Sequence, residues 1–154
     1  MRVDLIMIGE IKGRPKSDRL EIWICKEDKN HIFMLLTETN GHLEENPTNS
    51  MIKIEKTKLQ EQLKRLAQDN ELILRGEPIN NEELKLLSHL KGVDLLLGKD
   101  KLTVKAAQVG MLEYLDLELT KANQHHHRVR VLKGRFKIVM LESFQKAEEI
   151  WGQS

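Results

Sequence analysis

Cysteine, proline and aromatic residues are scarce in this chain of 154 residues. It has one cysteine, three prolines, two tryptophans, one tyrosine and three phenylalanines. A single cysteine excludes a disulfide within the chain, and with it the class of small secreted domains held together by disulfides. The low proline content, the absence of repetitive segments and the 40% of hydrophobic residues are typical of a globular chain rather than a disordered one.

The sequence also has almost no excess charge and no long apolar run. It carries 25 basic and 24 acidic side chains, which gives a formal net charge of +1. A charged partner would therefore be attracted by local clusters and not by the field of the whole molecule. No apolar run approaches the roughly 20 residues of a membrane span, and the run that follows Met1–Asp4 is too short for a signal sequence. We therefore expect a cytoplasmic protein.

The length fits a single domain, residues 1–154, which at this size buries roughly 68–70% of the surface of its unfolded chain. Two β-rich runs, Leu20–Cys25 and His31–Thr37, are joined by a polar loop and predict a hairpin. Before them, the turn-forming segment Gly9–Arg19 predicts a loop that is rich in basic residues.

Two capping signatures predict the central helices. Thr57 is followed by Gln60, and Asn80 by Glu83, at the spacing of a capping box. We expect the first helix to end near residues 69–70 and the second to end at Gly92. A short C-terminal helix is predicted from Phe144 onward, and periodicity does not decide between strand and helix for residues 105–112. The predicted fold is thus α+β, a mainly antiparallel sheet of short strands with two central helices and a short C-terminal helix.

One stretch, residues 120–141, is basic throughout and contains no acidic residue. Alternating apolar residues before and after Lys133-Gly134 predict a β-hairpin with these two residues as its turn. Its basic side chains are Lys121, Arg128, Arg130, Lys133, Arg135 and Lys137. In this hairpin Arg130 would lie opposite Lys137, and like charges in that position destabilise a sheet.

The preceding acidic strand offers an internal partner for part of this charge. If Leu117 pairs with Val129, then Asp116 lies opposite Arg130 and Glu118 lies opposite Arg128. Because a slip of one residue would reverse the faces, the agreement of the apolar and charged patterns favours this register. We therefore interpret Asp116, Arg130, Glu118 and Arg128 as structural ion pairs.

The basic residues that remain form a candidate site for an acidic partner, either nucleic acid or an acidic protein. Lysine and arginine on a two-stranded ribbon meet phosphates, although the few aromatic residues argue against extensive stacking on bases. The candidate polyanion-binding residues are Lys133, Arg135, Lys137, Lys121, Lys12, Arg14 and Lys16. The sequence thus favours a small non-catalytic binding or accessory protein, with nucleic acid as its foremost partner.

Two other functions stay open. The first is a structural protein that self-associates as a homo-oligomer through sheet edges and its C-terminal helix, with its basic face on an acidic membrane or protein. The second is a metal-dependent nuclease, since Glu10 and Lys12 have the Glu-x-Lys spacing of such enzymes. Such a site also needs an earlier carboxylate on an adjacent strand, and Asp4 is predicted on the same strand as Glu10, which argues against this function.

No catalytic residue, metal ligand or cofactor is assigned. The neighbouring histidines His125–His127 lack the spacing of a closed metal site. Cys25 lies in an apolar run with no adjacent histidine or arginine that would lower the pKa of its thiol.

Overall fold

The computed structural model describes residues 4–39, 47–66, 68–93, 95, 101–120 and 127–153. Within them the fold is α+β, as the sequence predicts, with two four-stranded antiparallel sheets and three helices. The first sheet has the order β1 (Leu5–Lys12), β2 (Arg19–Cys25), β3 (Asp28–Glu38), β4 (Thr48–Glu55). The second has the order β5 (Glu71–Arg75), β6 (Lys101–Val109), β7 (Leu112–Thr120), β8 (His127–Leu132). The helices are α1 (Lys56–Lys64), α2 (Asn81–Lys91) and α3 (Lys133–Trp151).

The first sheet is buried on both faces. Ile22 and Ile24 belong to the main core, which also contains residues of the second sheet and of α3. Trp23 points to the other face and shares a second cluster with Phe33 and with Leu87 of α2. Because both faces are covered there, the central strands contain continuous apolar runs, Ile22–Cys25 in β2 and Ile32–Leu36 in β3, instead of an alternating pattern.

The second sheet has one apolar and one polar face. Leu72, Val104, Leu117 and Val129 lie side by side across its four strands and face the core. The next row on the opposite face is charged and alternates in sign, and it consists of Glu71, Lys105, Asp116 and Arg130. Cross-strand pairs of opposite charge stabilise a sheet, so this row supports the register that the apolar residues set.

Single backbone hydrogen bonds join the two sheets at both edges. The amide of Glu77, two residues after the end of β5, donates to the carbonyl of Lys53 in β4 at 2.7 Å. At the other edge the amide of Arg14 donates to the carbonyl of Arg130 at 2.9 Å. The second of these bonds holds the β1–β2 loop against β8.

The predicted cap structure of α2 is confirmed. The side chain of Asn80 accepts a hydrogen bond from the Glu83 amide at 2.8 Å, and the side chain of Glu83 accepts one from the Asn80 amide at 3.2 Å. Gly92 ends the helix with a φ of 66°, a conformation that favours glycine. Local sequence determines both ends of this helix.

The predicted cap of α1 is wrong. Glu55 is the N-cap residue and Thr57 already lies inside the helix, where its hydroxyl donates to Glu55 Oε1 at 2.9 Å. The helix also ends earlier than predicted, at Lys64. It gives way to a turn in which the Leu66 amide bonds to the carbonyl of Leu63, and this turn places Leu66 in the core.

Residues 105–112, for which the sequence leaves strand and helix open, form the end of a β-hairpin. β6 continues to Val109, β7 starts at Leu112, and Gly110 in the turn has a φ of 61°.

No helix among the described residues is long and apolar enough to cross a membrane.

The predicted second strand of the basic hairpin is wrong, because Lys133 begins a 19-residue helix. The five-residue alternation from Phe136 to Met140 is part of a longer helical pattern. The buried residues are Phe136, Val139, Met140, Ser143, Ala147 and Trp151, and this spacing of three or four residues buries one stripe of a helix over its whole length. The predicted C-terminal helix therefore exists, but it begins 11 residues earlier than Phe144 and is not short.

Candidate functional site

The predicted register of β7 and β8 is observed. Asp116 lies opposite Arg130, and Glu118 lies opposite Arg128. The guanidinium of Arg130 donates two hydrogen bonds to the carboxylate of Asp116, at 2.7 and 3.0 Å. These hydrogen bonds raise the pKa of Arg130 above its ordinary value.

The side chains of Arg128 and Glu118, which face each other in register, lie near other partners. The side chain of Arg128 is 54% exposed, and its Nη1 lies 4.0 Å from Asp116 Oδ2. Glu118 lies 3.8 Å from the ammonium of Lys105 on the neighbouring strand. Asp116 is therefore the carboxylate to which the guanidinium groups of both Arg128 and Arg130 turn.

The loop between β1 and β2 places a third arginine, Arg14, next to Arg130 of β8. A Cβ atom on Gly13 would lie 3.0 Å from Val129 Cγ1 and 3.1 Å from the carbonyl oxygen of Arg130, so glycine permits the close approach of the loop to β8. The loop is fixed at its far end by Asp18, whose carboxylate accepts hydrogen bonds from the amide and the hydroxyl of Thr39 at 2.8 and 2.7 Å.

Tyr114 is the point at which the loop and the second sheet meet. The guanidinium carbons of Arg14 and Arg130 each lie 5.8 Å from the centroid of its ring, within the range of a cation–π interaction. Arg14 also donates a hydrogen bond from Nη1 to the Tyr114 hydroxyl at 2.7 Å. The ring of Tyr114 thus contacts one arginine from the β1–β2 loop and one from β8.

We call Arg14, Arg128 and Arg130 the basic cluster. Among the described residues, Asp116 is the one carboxylate that lies within ion-pair distance of their guanidinium groups. Like charges held close together repel one another, by an amount that depends on how far water screens them. Arg14 and Arg128 are exposed, so a negatively charged ligand can reach them and relieve this repulsion.

The other predicted site residues are only partly gathered around this cluster. Lys16 is exposed on the same loop as Arg14, and Lys133 lines a polar hollow of about 320 Å³ together with Tyr114. Arg135 is exposed in the first turn of α3, and Lys12 is exposed on β1 opposite Arg19. Lys137 lies between α3 and α1, in a separate groove.

Lys121, as well as His125 and His126, lies outside the described residues. Sequence reasoning assigned Arg128 and Arg130 to the sheet alone and missed the part that Tyr114 plays. The alternation in β7 did place Tyr114 on the same face as Asp116, but it gave no sign that Arg14 would reach that face.

The described residues contain no group of three or more histidine, cysteine or acidic side chains that could hold a metal ion. Glu10 and Asp4, six residues apart on or beside one extended strand, are separated by about 20 Å. Cys25 is buried, and burial raises the pKa of its thiol to about 11, so the thiol is protonated and unreactive near neutral pH.

These features stand without a known relative to guide their interpretation. The chain matches no model of a protein family, and neither a curated protein nor a solved structure is detectably similar to it.

Proposed function

We propose that this protein is a non-catalytic binding protein that engages a polyanion, with nucleic acid as its foremost partner, through the basic cluster. The observation that carries the proposal is the meeting of Arg14 and Arg130 on the ring of Tyr114, together with the single carboxylate, Asp116, that Arg130 shares with Arg128. Phosphate groups are the natural ligands of such a surface, because a guanidinium offers them several donors in one plane.

The mode of binding follows from the aromatic residues. Tyr114 is 3% exposed and Phe136 is fully buried, so neither ring is free to stack on a base. Binding would therefore depend on contacts to phosphates, which position a nucleic acid without reading its sequence. Affinity should then fall steeply as the salt concentration rises, because each neutralised phosphate releases counterions.

A titration of fluorescein-labelled oligonucleotides, single-stranded and duplex, at several salt concentrations tests the proposal. We expect little preference for sequence, and a loss of affinity of about tenfold or more in the double variant Arg14→Glu, Arg128→Glu. The matched control is Lys85→Glu, Lys146→Glu, which changes the net charge equally at two exposed positions. Urea unfolding of each variant shows that it is folded.

Two further variants separate charge from position. Gly13→Ala keeps every charge but pushes the loop away from β8, and it should weaken binding severalfold. Lys133→Glu, Arg135→Glu reverses two charges at the start of α3, and a loss of binding in this variant would extend the surface to that helix. Binding that does not depend on salt, or that is equal in the cluster and control variants, would contradict the proposal.

A second candidate function is self-association through the C-terminal helix. Ile138 and Leu141 of α3 are 51% and 61% exposed, and exposed apolar side chains on one helix favour a contact with another protein surface. Light scattering over a range of protein concentrations tests this candidate. A mass that stays that of the monomer would exclude it.

A further inference from the structure

A groove runs between α1 and α3, apart from the basic cluster. Its volume is about 570 Å³, which lies within the usual range for sites that bind small molecules. Most of its lining is apolar and is contributed by Leu63, Leu66, Met140, Leu141 and Phe144.

The helices that form the groove are tied together beyond one of its ends, and we call the other end, lined by Lys64 and Lys137, its entrance. Lys56, the first residue of α1, bonds to Glu148 near the end of α3 at 2.8 Å and lies 5.2 Å from the ring centroid of Trp151. The helices therefore run in opposite directions, and they are tied together at this end. Away from it, the last turn of α1 and the first half of α3 form the walls.

Two lysines lie at the entrance. Lys64 is the last residue of α1, Lys137 belongs to the second turn of α3, and both line the groove. Among the described residues, neither ammonium group has a carboxylate within ion-pair distance, and the groove lining includes no acidic side chain. The entrance thus carries positive charge that no side chain of the described structure compensates.

The apolar lining is only partly covered by the protein itself. Met140 is buried in the main core, whereas Leu141, one residue further along the helix, is 61% exposed. Covering such a side chain with an acyl chain would be favourable, because it removes apolar surface of both from water. The partly exposed apolar lining and the two lysines of the entrance together favour a ligand with an apolar body and an anionic end.

We propose that this groove binds a long-chain carboxylate, with its acyl chain along Leu63, Leu141 and Phe144 and its carboxylate between Lys64 and Lys137. The same face of a second copy of the chain fits less well, because it would bring lysines toward lysines. This proposal does not rest on the proposed binding of a polyanion, since it uses none of the residues of the basic cluster.

Isothermal titration calorimetry with dodecanoate, below the concentration at which it forms micelles, tests the proposal. Dodecyltrimethylammonium is the matched probe, because it has the same chain and a cationic head. We expect saturable binding of dodecanoate, and an affinity for the cationic probe that is lower by about tenfold or more.

Two pairs of variants locate the site. Leu141→Glu puts a carboxylate into the groove and should abolish the binding of dodecanoate, whereas Ile138→Glu puts one on the same helix outside the lining and should leave it unchanged. Lys64→Glu, Lys137→Glu should weaken dodecanoate about tenfold or more, while Lys85→Glu, Lys146→Glu should not. All six positions are exposed, so none of these substitutions removes a side chain of the core, and urea unfolding of each variant shows whether it is folded.

Three results would overturn the proposal. The first is equal affinity for the two probes, which would show adsorption of any alkyl chain. The second is an equal loss of binding in Leu141→Glu and Ile138→Glu. The third is an absence of dodecanoate binding together with a dimer that Leu141→Glu dissociates, which would assign the groove to a second copy of the chain.

Discussion

Both sheets carry acidic and basic side chains on the face that points away from the main core. On the first sheet these side chains lie beneath α2, and on the second sheet several of them reach the solvent. On the first sheet Lys53 bonds to Glu83 of α2 at 3.0 and 3.3 Å, and Glu21 accepts hydrogen bonds from Lys91 of α2 and from Trp23. Glu21, Lys53 and Glu83 are buried beneath the helix, and the side chain of Lys91 is 17% exposed. On the second sheet Arg128 and Arg130 share Asp116, and Arg14 and Arg128 are exposed.

This difference shows how burial separates structural charges from charges available to a ligand. A buried charge has to find its partner within the fold, since leaving it unpaired is strongly destabilising. Lys53 and Lys91 meet this requirement and hold α2 to the first sheet near both of its ends. An exposed charge can instead rely on water, so an excess of one sign persists and can attract a partner.

The largest expected effect comes from breaking a buried pair. Glu83→Ala removes the nearer of the two carboxylates beside Lys53, the other being Asp28 at 3.9 Å, together with half of the capping box of α2. The free energy of unfolding should therefore fall by about 3–4 kcal/mol. Urea denaturation measures this change. Glu82→Ala is the matched control, because it removes an exposed acid from the same helical turn and should change stability by about 0.5 kcal/mol.

A fall of less than about 1 kcal/mol in Glu83→Ala would contradict this account. It would mean that the buried pair on the first sheet contributes no more than a surface ion pair, and the contrast between the two sheets would disappear.

A smaller change in the free energy of unfolding is expected from the titration of Cys25, the buried thiol of the first sheet. Burial raises the pKa of Cys25 to about 11, above the value of roughly 8.5 expected in the unfolded chain. Between these values the folded protein keeps a proton that the unfolded chain has lost, so stability should fall as the pH rises from about 8.5 to 11.

Cys25→Ala removes this titration and should show a decline over that pH range that is shallower by about 3 kcal/mol. Parallel curves of the free energy of unfolding against pH for the two proteins would refute the assignment. A disulfide reagent offers a second check at pH 8, where the thiol should react slowly in the folded protein and rapidly in urea.

The smallest effect distinguishes a helix from a hairpin after β8. Gly134 lies in the first turn of α3, and a Cβ atom there would have no atom within 4 Å. Gly134→Ala should therefore stabilise the protein by about 0.5 kcal/mol. Gly92→Ala, at a φ of 66°, should destabilise it by about 1 kcal/mol. If Gly134→Ala were destabilising by a similar amount, Gly134 would be acting as a turn residue.

The sequence predicts best where local chemistry decides the structure. Both ends of α2 are specified by its caps, and the register of β7 and β8 follows from two patterns that agree. The start of α3 was mispredicted because Phe136, Ile138 and Met140 alternate over five residues. A 3.6-residue period becomes visible only over a longer window that includes Ser143 and Ala147.

The candidate site was predictable only in pieces. Both basic segments stand out in the sequence, but their meeting depends on a contact between Gly13 and β8, which are more than a hundred residues apart. Lys137 was assigned to the site as a neighbour of Arg135, and the turn of the helix carries it to the groove beside α1 instead. Neither the contact of Gly13 with β8 nor the position of Lys137 could be inferred from how far apart these residues lie in the sequence.

The measurement that tests the central claim most directly is the nuclear magnetic resonance of the arginine Nε–H groups during titration with a short oligonucleotide. Arg19 is an internal control, because its Nε donates to the buried Glu21 of the first sheet at 3.0 Å. We predict that the Nε signals of Arg14 and Arg128 shift in proportion to the bound fraction and that the signal of Arg19 does not. Equal shifts of all three signals, or no shift at saturating oligonucleotide, would contradict the assignment of polyanion binding to the basic cluster.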